Sequence, residues 1–211
     1  MGTSTRKVAA RLWGDALPDR GASGRGDAEL VRELYQAENE GQAEPSGSQD
    51  MAGLIYPGVS RLDYDADFEG GYFPCHVENN TDPAVARWLE GVIWMVPVAQ
   101  RPAGYNPLER KNLTPEWARR LGPSGADCFD AIVAMDAAAL GASMNECMLC
   151  WETLLPDVVY HHTLSVDLMG LLKPYQEAYH GAMYSGCGGG YIYVDSDEPV
   201  PGGFQVKVRT G

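Results

Sequence analysis

Basic residues are scarce in this chain of 211 residues: 16 Lys and Arg face 29 Asp and Glu, for a formal charge of −13. That balance argues against a partner held through a phosphate backbone, because such affinity comes from cationic side chains neutralising phosphates. It equally disfavours an anionic membrane surface. No apolar run approaches the roughly 20 residues that span a bilayer. The opening residues carry no apolar core of a secretory signal. Cysteine is sparse, with five residues at dispersed positions (Cys75, Cys128, Cys147, Cys150 and Cys187). An odd set in a chain large enough to build its own core reads as reduced thiols in a cytoplasm. The glycine fingerprint of a dinucleotide-binding βαβ unit is missing, as is the Gly-x-Ser-x-Gly elbow of a serine hydrolase. A single nucleotide needs only a few local donors and a metal ion, so the acidic balance leaves it open.

What is present is ordinary globular material, 45% apolar and 21% charged, enough for one large domain or two small ones. Residues 3–13 have a short helical pattern, and Asp27 is placed to cap a second helix reaching about Glu40. Met51–Tyr56 and Val59–Tyr64 read as two strands joined by the turn dipeptide Pro57-Gly58. Asp65–Asn80 reads as surface loop or irregular strand, Ala84–Leu89 as a short helix and Val92–Val98 as a buried strand. A long loop follows over 101–114, then a helical block from Pro115 to Leu155. Thr163 or Ser165 is placed to cap a further helix through about Tyr179. Strands are expected at Ala182–Tyr184, Tyr191–Asp195 and Gln205–Arg209. Strands that flank a helical block without βαβ alternation point to an α+β architecture.

Three motifs carry chemistry. Ser46-Gly47-Ser48-Gln49-Asp50 ends in a carboxylate, and Glu38 lies 12 positions upstream on the preceding helix. Two such acids could divide metal binding from handling of a nucleophilic hydroxyl, the two tasks of phosphoryl transfer. Spacing alone favours a solvated helix face for Glu38 and a turn role for Asp50. Tyr184-Ser185-Gly186-Cys187-Gly188-Gly189-Gly190 offers left-handed backbone and close approach to an anion, or a tight hairpin. Gly2-Thr3-Ser4-Thr5 runs into a helix whose free N–H groups and dipole would favour an anion, though taken in isolation it reads as a disordered terminus with an accidental cap.

In order and spacing these motifs resemble the signatures of the GHMP kinase superfamily (galactokinase, homoserine kinase, mevalonate kinase and phosphomevalonate kinase). The Gln49-Asp50 pair looks closest to the heptose-phosphate kinases. The resemblance implies an α+β, two-layer GHMP kinase-like fold, with part of the N-terminal half over residues 1–65 and a C-terminal half over 66–211. It implies transfer of the γ-phosphate of ATP, with Mg²⁺, to a hydroxyl of a sugar or sugar phosphate. Gly2, Thr3, Ser4, Thr5, Ser185, Gly186, Gly188 and Gly189 would hold the nucleotide. Glu38 and Ser4 would ligate the metal, and Asp50 would orient or deprotonate the acceptor. The family's first motif has no counterpart after Met1, Arg6 replaces a small residue, and Cys187 replaces an alanine. An inactive homologue that binds a ligand, a second copy or a partner chain through an uncovered sheet edge is therefore the alternative class.

Outside the motifs, Arg101 could clamp an anionic group of the substrate and Tyr105 could stack on a sugar ring, both in the long loop. Cys147-Met-Leu-Cys150 lies within a helix and reads as core cysteines. His161-His162 beside Asp157 could begin a metal site, but no other histidine lies at ligand spacing, and a solvated loop before a helix is the reading preferred.

Overall fold

The computed structural model describes residues 3–14, 24–42, 45–98, 100–186 and 190–210. The chain divides into two compact units, one of residues 1–81 with 209–211, the other of residues 82–208. The break thus falls at Thr81/Asp82, beyond the expected boundary at 65/66. The reason is a hairpin: β1 (Val59–Tyr64) pairs antiparallel with β2 (Pro74–Asn80), from Val59 opposite Asn80 to Tyr64 opposite Pro74. A boundary at 65 would cut it.

The first unit packs this hairpin with three helices. In α1 (Thr3–Trp13), Thr5 and Ala9 lie one turn apart and are both buried. In α2 (Asp27–Asn39), Leu30, Val31 and Leu34 form the apolar stripe. Asp27 is its first helical residue and not its cap; Gly26 holds that position, its N–H donating to the Glu29 carboxylate at 2.8 Å. The segment expected as a strand at Met51–Tyr56 is helical instead, as α3 (Gln49–Ile55). Met51, Ala52 and Ile55 are buried there together, a spacing that a strand would split between two faces. Arg209 closes its C-terminal end, its guanidinium donating to the carbonyls of Leu54, Ile55 and Tyr56 at 2.9, 2.9 and 3.0 Å.

The second unit is built on an antiparallel sheet of order β4-β5-β3-β6, from β3 (Ile93–Pro97), β4 (Gly181–Tyr184), β5 (Tyr191–Asp195) and β6 (Phe204–Gln205). Its helices are α4 (Pro83–Val92), α5 (Pro115–Ala134), α6 (Ala137–Leu154), α7 (Asp157–Tyr160) and α8 (Leu168–Ala178). Four of them start on a side-chain cap that accepts a first-turn N–H: Asp82, Thr114, Asp136 and Asp167. Asp167 therefore takes the role expected of Thr163 or Ser165. The core joins Met148, Val158, Leu168 and Leu172 to Tyr184, Ile192 and Val194 of the sheet. The last strand is shorter than its alternation suggested. Past Gln205 the chain turns to α4, where Glu90 accepts from Lys207 Nζ at 2.9 Å and from the Val208 N–H at 2.8 Å. No helix among the described residues is long and apolar enough to cross a membrane.

Helix α6 meets the start of β4 backbone to backbone. A Cβ added at Gly141 would lie 2.3 Å from the His180 carbonyl carbon and oxygen and 2.7 Å from the Gly181 nitrogen. Neither neighbour is a flexible side chain, so helix and strand must separate. Gly141→Ala is expected to cost about 1–3 kcal/mol despite the better helix propensity of alanine, measured as a lower urea midpoint.

Candidate active site

The first unit brings one pair of expected site residues into direct contact. Glu38 stands in the last turn of α2, and Ser4 in the first turn of α1 donates its hydroxyl to Glu38 Oε1 at 2.8 Å, across 34 residues. The second oxygen, Oε2, is buried and has no hydrogen-bond partner among the described residues. A buried carboxylate oxygen without a donor is costly, and a cation is the natural complement to it. The position adds a second argument. Helix N-termini in general favour anions, so a phosphate drawn to the start of α1 would meet the Glu38 carboxylate, and two anions share such a place only with a cation between them. The donor set, a carboxylate and a hydroxyl, is that of a hard oxygen-seeking ion such as Mg²⁺.

The second motif is tied to the first by Asn39. Its Oδ1 accepts from the Ser46 N–H at 2.8 Å and from the Ser46 hydroxyl at 3.2 Å, while its Nδ2 donates to the Tyr35 carbonyl at 3.0 Å. Ser48 follows, fully buried. It donates to the Tyr72 carbonyl at 2.7 Å and lies 3.0 Å from the Tyr64 hydroxyl. These contacts fix the start of α3, whose exposed first turn carries Asp50. Sequence reasoning missed Asn39, Ser48 and Tyr64. The signal for Ser48 was available, since a small hydroxyl before a helix marks its start, but reading 51–56 as strand removed the helix it would start.

Thr5 is 1% exposed, and Ser4 is the exposed hydroxyl of the pair. Gly2 and the side chain of Thr3 lie outside the described residues.

In the second unit, the Ser185 N–H donates to the Tyr191 carbonyl at 3.0 Å, closing β4 onto β5, and the Gly186 N–H turns back to the Tyr184 carbonyl at 2.9 Å. Gly186 has φ +95° and Gly190 φ +80°, the left-handed conformations for which glycine is suited. Cys187, Gly188 and Gly189 lie outside the described residues. A guanidinium nitrogen of Arg101 is 3.7 Å from where a Cβ on Gly186 would be. The same group lies over the Tyr105 ring at 5.8 Å, so the loop does bring a cation to the glycine-rich turn. The Tyr105 hydroxyl donates to the Val158 carbonyl at 2.9 Å and its ring meets His161 edge-on at 5.3 Å. Its half-buried ring also lies beneath the Arg101 guanidinium.

Asp127, Asp130, Asp136 and Glu146 rim an open groove of about 630 Å³ on α5 and α6. Four carboxylates make it a poor seat for phosphate, and none of the expected site residues lines it. Cys150 is buried, and burial pushes the Cys147 thiol up to about 12, as suits core cysteines without thiolate chemistry.

The fold is that of the GHMP kinases. Superposition on a D-glycero-D-manno-heptose 1-phosphate kinase from Bacteroides thetaiotaomicron gives a TM-score of 0.57 at 15% identity, over 98% of this chain and 58% of that one. A mevalonate diphosphate decarboxylase from Staphylococcus aureus gives 0.57 at 12% identity, over 99% of this chain and 65% of that one. The chain thus spans less than two thirds of either neighbour's length. No protein-family model matches the sequence, and no curated protein matches it.

Proposed function

We propose that this chain carries the phosphate and metal site of an ATP-dependent small-molecule kinase that phosphorylates a hydroxyl of a sugar or sugar phosphate. The carrying observation is the contact of Ser4 with Glu38 at the start of α1, with the second carboxylate oxygen of Glu38 buried and unpartnered among the described residues. The solved neighbours include both a kinase and a decarboxylase by name, so the fold alone does not choose the reaction. The residues favour transfer to a hydroxyl: an exposed carboxylate, Asp50, stands on a helix whose start is anchored by buried Ser48.

MgATP, when bound, supplies the transferable phosphoryl group and the cationic charge that offsets it. Ser4 and the first-turn N–H groups of α1 would hold phosphate oxygens, and Glu38 would ligate the metal. In the first unit Asp50 would accept the proton of the acceptor hydroxyl; in the second unit, taken by itself, Arg101 would hold an anionic group. The resemblance to heptose-phosphate kinases supports a sugar phosphate as that acceptor. A second copy or a partner chain covering an exposed sheet edge belongs to the same proposal.

Titration calorimetry with ADP tests it. Binding is expected with Mg²⁺ and should weaken sharply without the metal or in Glu38→Gln. A folded chain that binds ADP in neither condition would favour a non-catalytic binding module.

A further inference from the structure

The long loop of the second unit is stitched to the segment after α6 at several points. The Asn112 N–H donates to the Leu154 carbonyl at 2.8 Å, and Asp157 accepts both the Arg110 N–H at 2.8 Å and its guanidinium at 2.7 Å. This folding brings Glu109 beside His161 across 52 residues, Oε2 to Nε2, at 2.9 Å. The His161 side chain is completely buried, contrary to the solvated loop expected of it, while that of Glu109 is 55% exposed. The adjacent His162 is exposed, with its ring centroid 4.3 Å from that of His161. One ligand atom from each of the three residues lies within 4.8 Å of the others.

From this juxtaposition we propose a binding site for a divalent first-row transition ion, Zn²⁺ in the first place, formed by Glu109, His161 and His162. Two imidazoles and one carboxylate suit such an ion, whereas Mg²⁺ and Ca²⁺ prefer oxygen alone. Tetrahedral zinc with bonds of about 2.0–2.1 Å draws its donors to within about 3.4 Å of each other. The two exposed side chains can close that distance, while buried His161 stays in place. Asp157 is already neutralised by Arg110, which leaves Glu109 as the local carboxylate to offer. Water would take the fourth position.

Thr163 faces the other ring nitrogen of His161. Its hydroxyl lies 2.7 Å from His161 Nδ1. Without an ion, Nε2–H donates to Glu109 and Nδ1 accepts from Thr163. On binding, Nε2 must lose its proton; Nδ1 gains one, and the Thr163 hydroxyl changes from donor to acceptor. A neutral imidazole makes this exchange with no net proton release. The Thr163 backbone N–H, 3.3 Å from Nδ1, is the contact that weakens. The bound ion would clip the 101–114 loop, and so the Arg101–Tyr105 pair, to the segment after α7.

The experiment is calorimetric titration of the full chain with Zn²⁺ in excess Mg²⁺, paired with Co²⁺ absorption to report tetrahedral coordination. One Zn²⁺ is expected per chain at this site. Affinity should fall at least tenfold in Glu109→Gln and in His162→Ala, and about 10–100-fold in the positioning variant Thr163→Val. Both ligand variants alter exposed side chains, so circular dichroism and the urea midpoint should match the parent. Failure of the folded parent to bind Zn²⁺ would overturn the site. So would binding that is unchanged in the Glu109→Gln, His162→Ala double variant, which would assign the ion to the cysteines.

Discussion

Asp50→Asn should reduce sugar-phosphorylating turnover by about 10²–10⁴-fold, the usual contribution of a positioned base, while leaving the affinity for MgADP close to that of the parent. The expectation separates two roles within one short stretch. Glu38 touches Ser4 at the helix start where phosphate would sit, so its loss should appear in nucleotide binding. Asp50 is exposed in the first turn of α3, and nothing in that placement ties it to nucleotide. The carboxamide keeps the size and can still accept a hydrogen bond through its Oδ1, but it cannot take a proton from a hydroxyl. The start of α3 is held by Ser48, Tyr64 and the Tyr72 carbonyl, and the substitution leaves all three groups unchanged. The helix should therefore stay in place. A coupled assay of ADP release over a panel of sugars and sugar phosphates, with calorimetry on the same preparation, reads both quantities. Parental turnover in Asp50→Asn would remove Asp50 as the base. A joint loss of turnover and ADP affinity would place it in the nucleotide site instead.

The order of these motifs was legible because each is local: a few residues in a row, with glycines and small hydroxyls that have definite backbone uses. What joins them was not. Ser4 meets Glu38 over 34 residues and Glu109 meets His161 over 52, and neither spacing leaves a trace in periodicity. The α3 segment shows the other limit. Its apolar run is too short to tell strand from helix by pattern, and packing of Met51, Ala52 and Ile55 into the first core decides the matter. The reverse happens at the C-terminal end. Gln205–Arg209 alternates as a strand should, yet Glu90 draws Lys207 and Val208 to α4, and two residues of ladder remain. Tyr105 was readable as a loop aromatic, but only the fold shows its hydroxyl spent on Val158.

Asp195→Asn should stabilise the protein at pH 8 by up to about 4 kcal/mol and change little below about pH 4. Asp195 ends β5, is fully buried, and neither of its carboxylate oxygens has a hydrogen-bond partner among the described residues. Burial pushes the carboxyl from its ordinary 3.8 up to about 7; His180 and the Gly141 amide pull it down, while Asp197 and Asp136 push it further up. The Gly141 amide acts from outside hydrogen-bonding geometry. Because the folded value is the higher one, the folded chain retains a proton that the unfolded chain has released. Stability from this group is complete below about pH 4 and is lost as pH rises through about 7. Every tenfold gain in proton affinity on folding corresponds to about 1.36 kcal/mol, which sets the ceiling given above. Asparagine resembles the protonated acid in size and charge, so the variant should hold at pH 8 what the parent keeps only in acid. Asp157, Glu69, Glu90 and Glu146, each lowered by an ion pair, act in the opposite sense, but they act alike on parent and variant. The difference in urea-derived stability between the two proteins, measured from pH 5 to pH 8.5, therefore isolates Asp195. A difference independent of pH would mean that the carboxylate has found a partner or a water in solution.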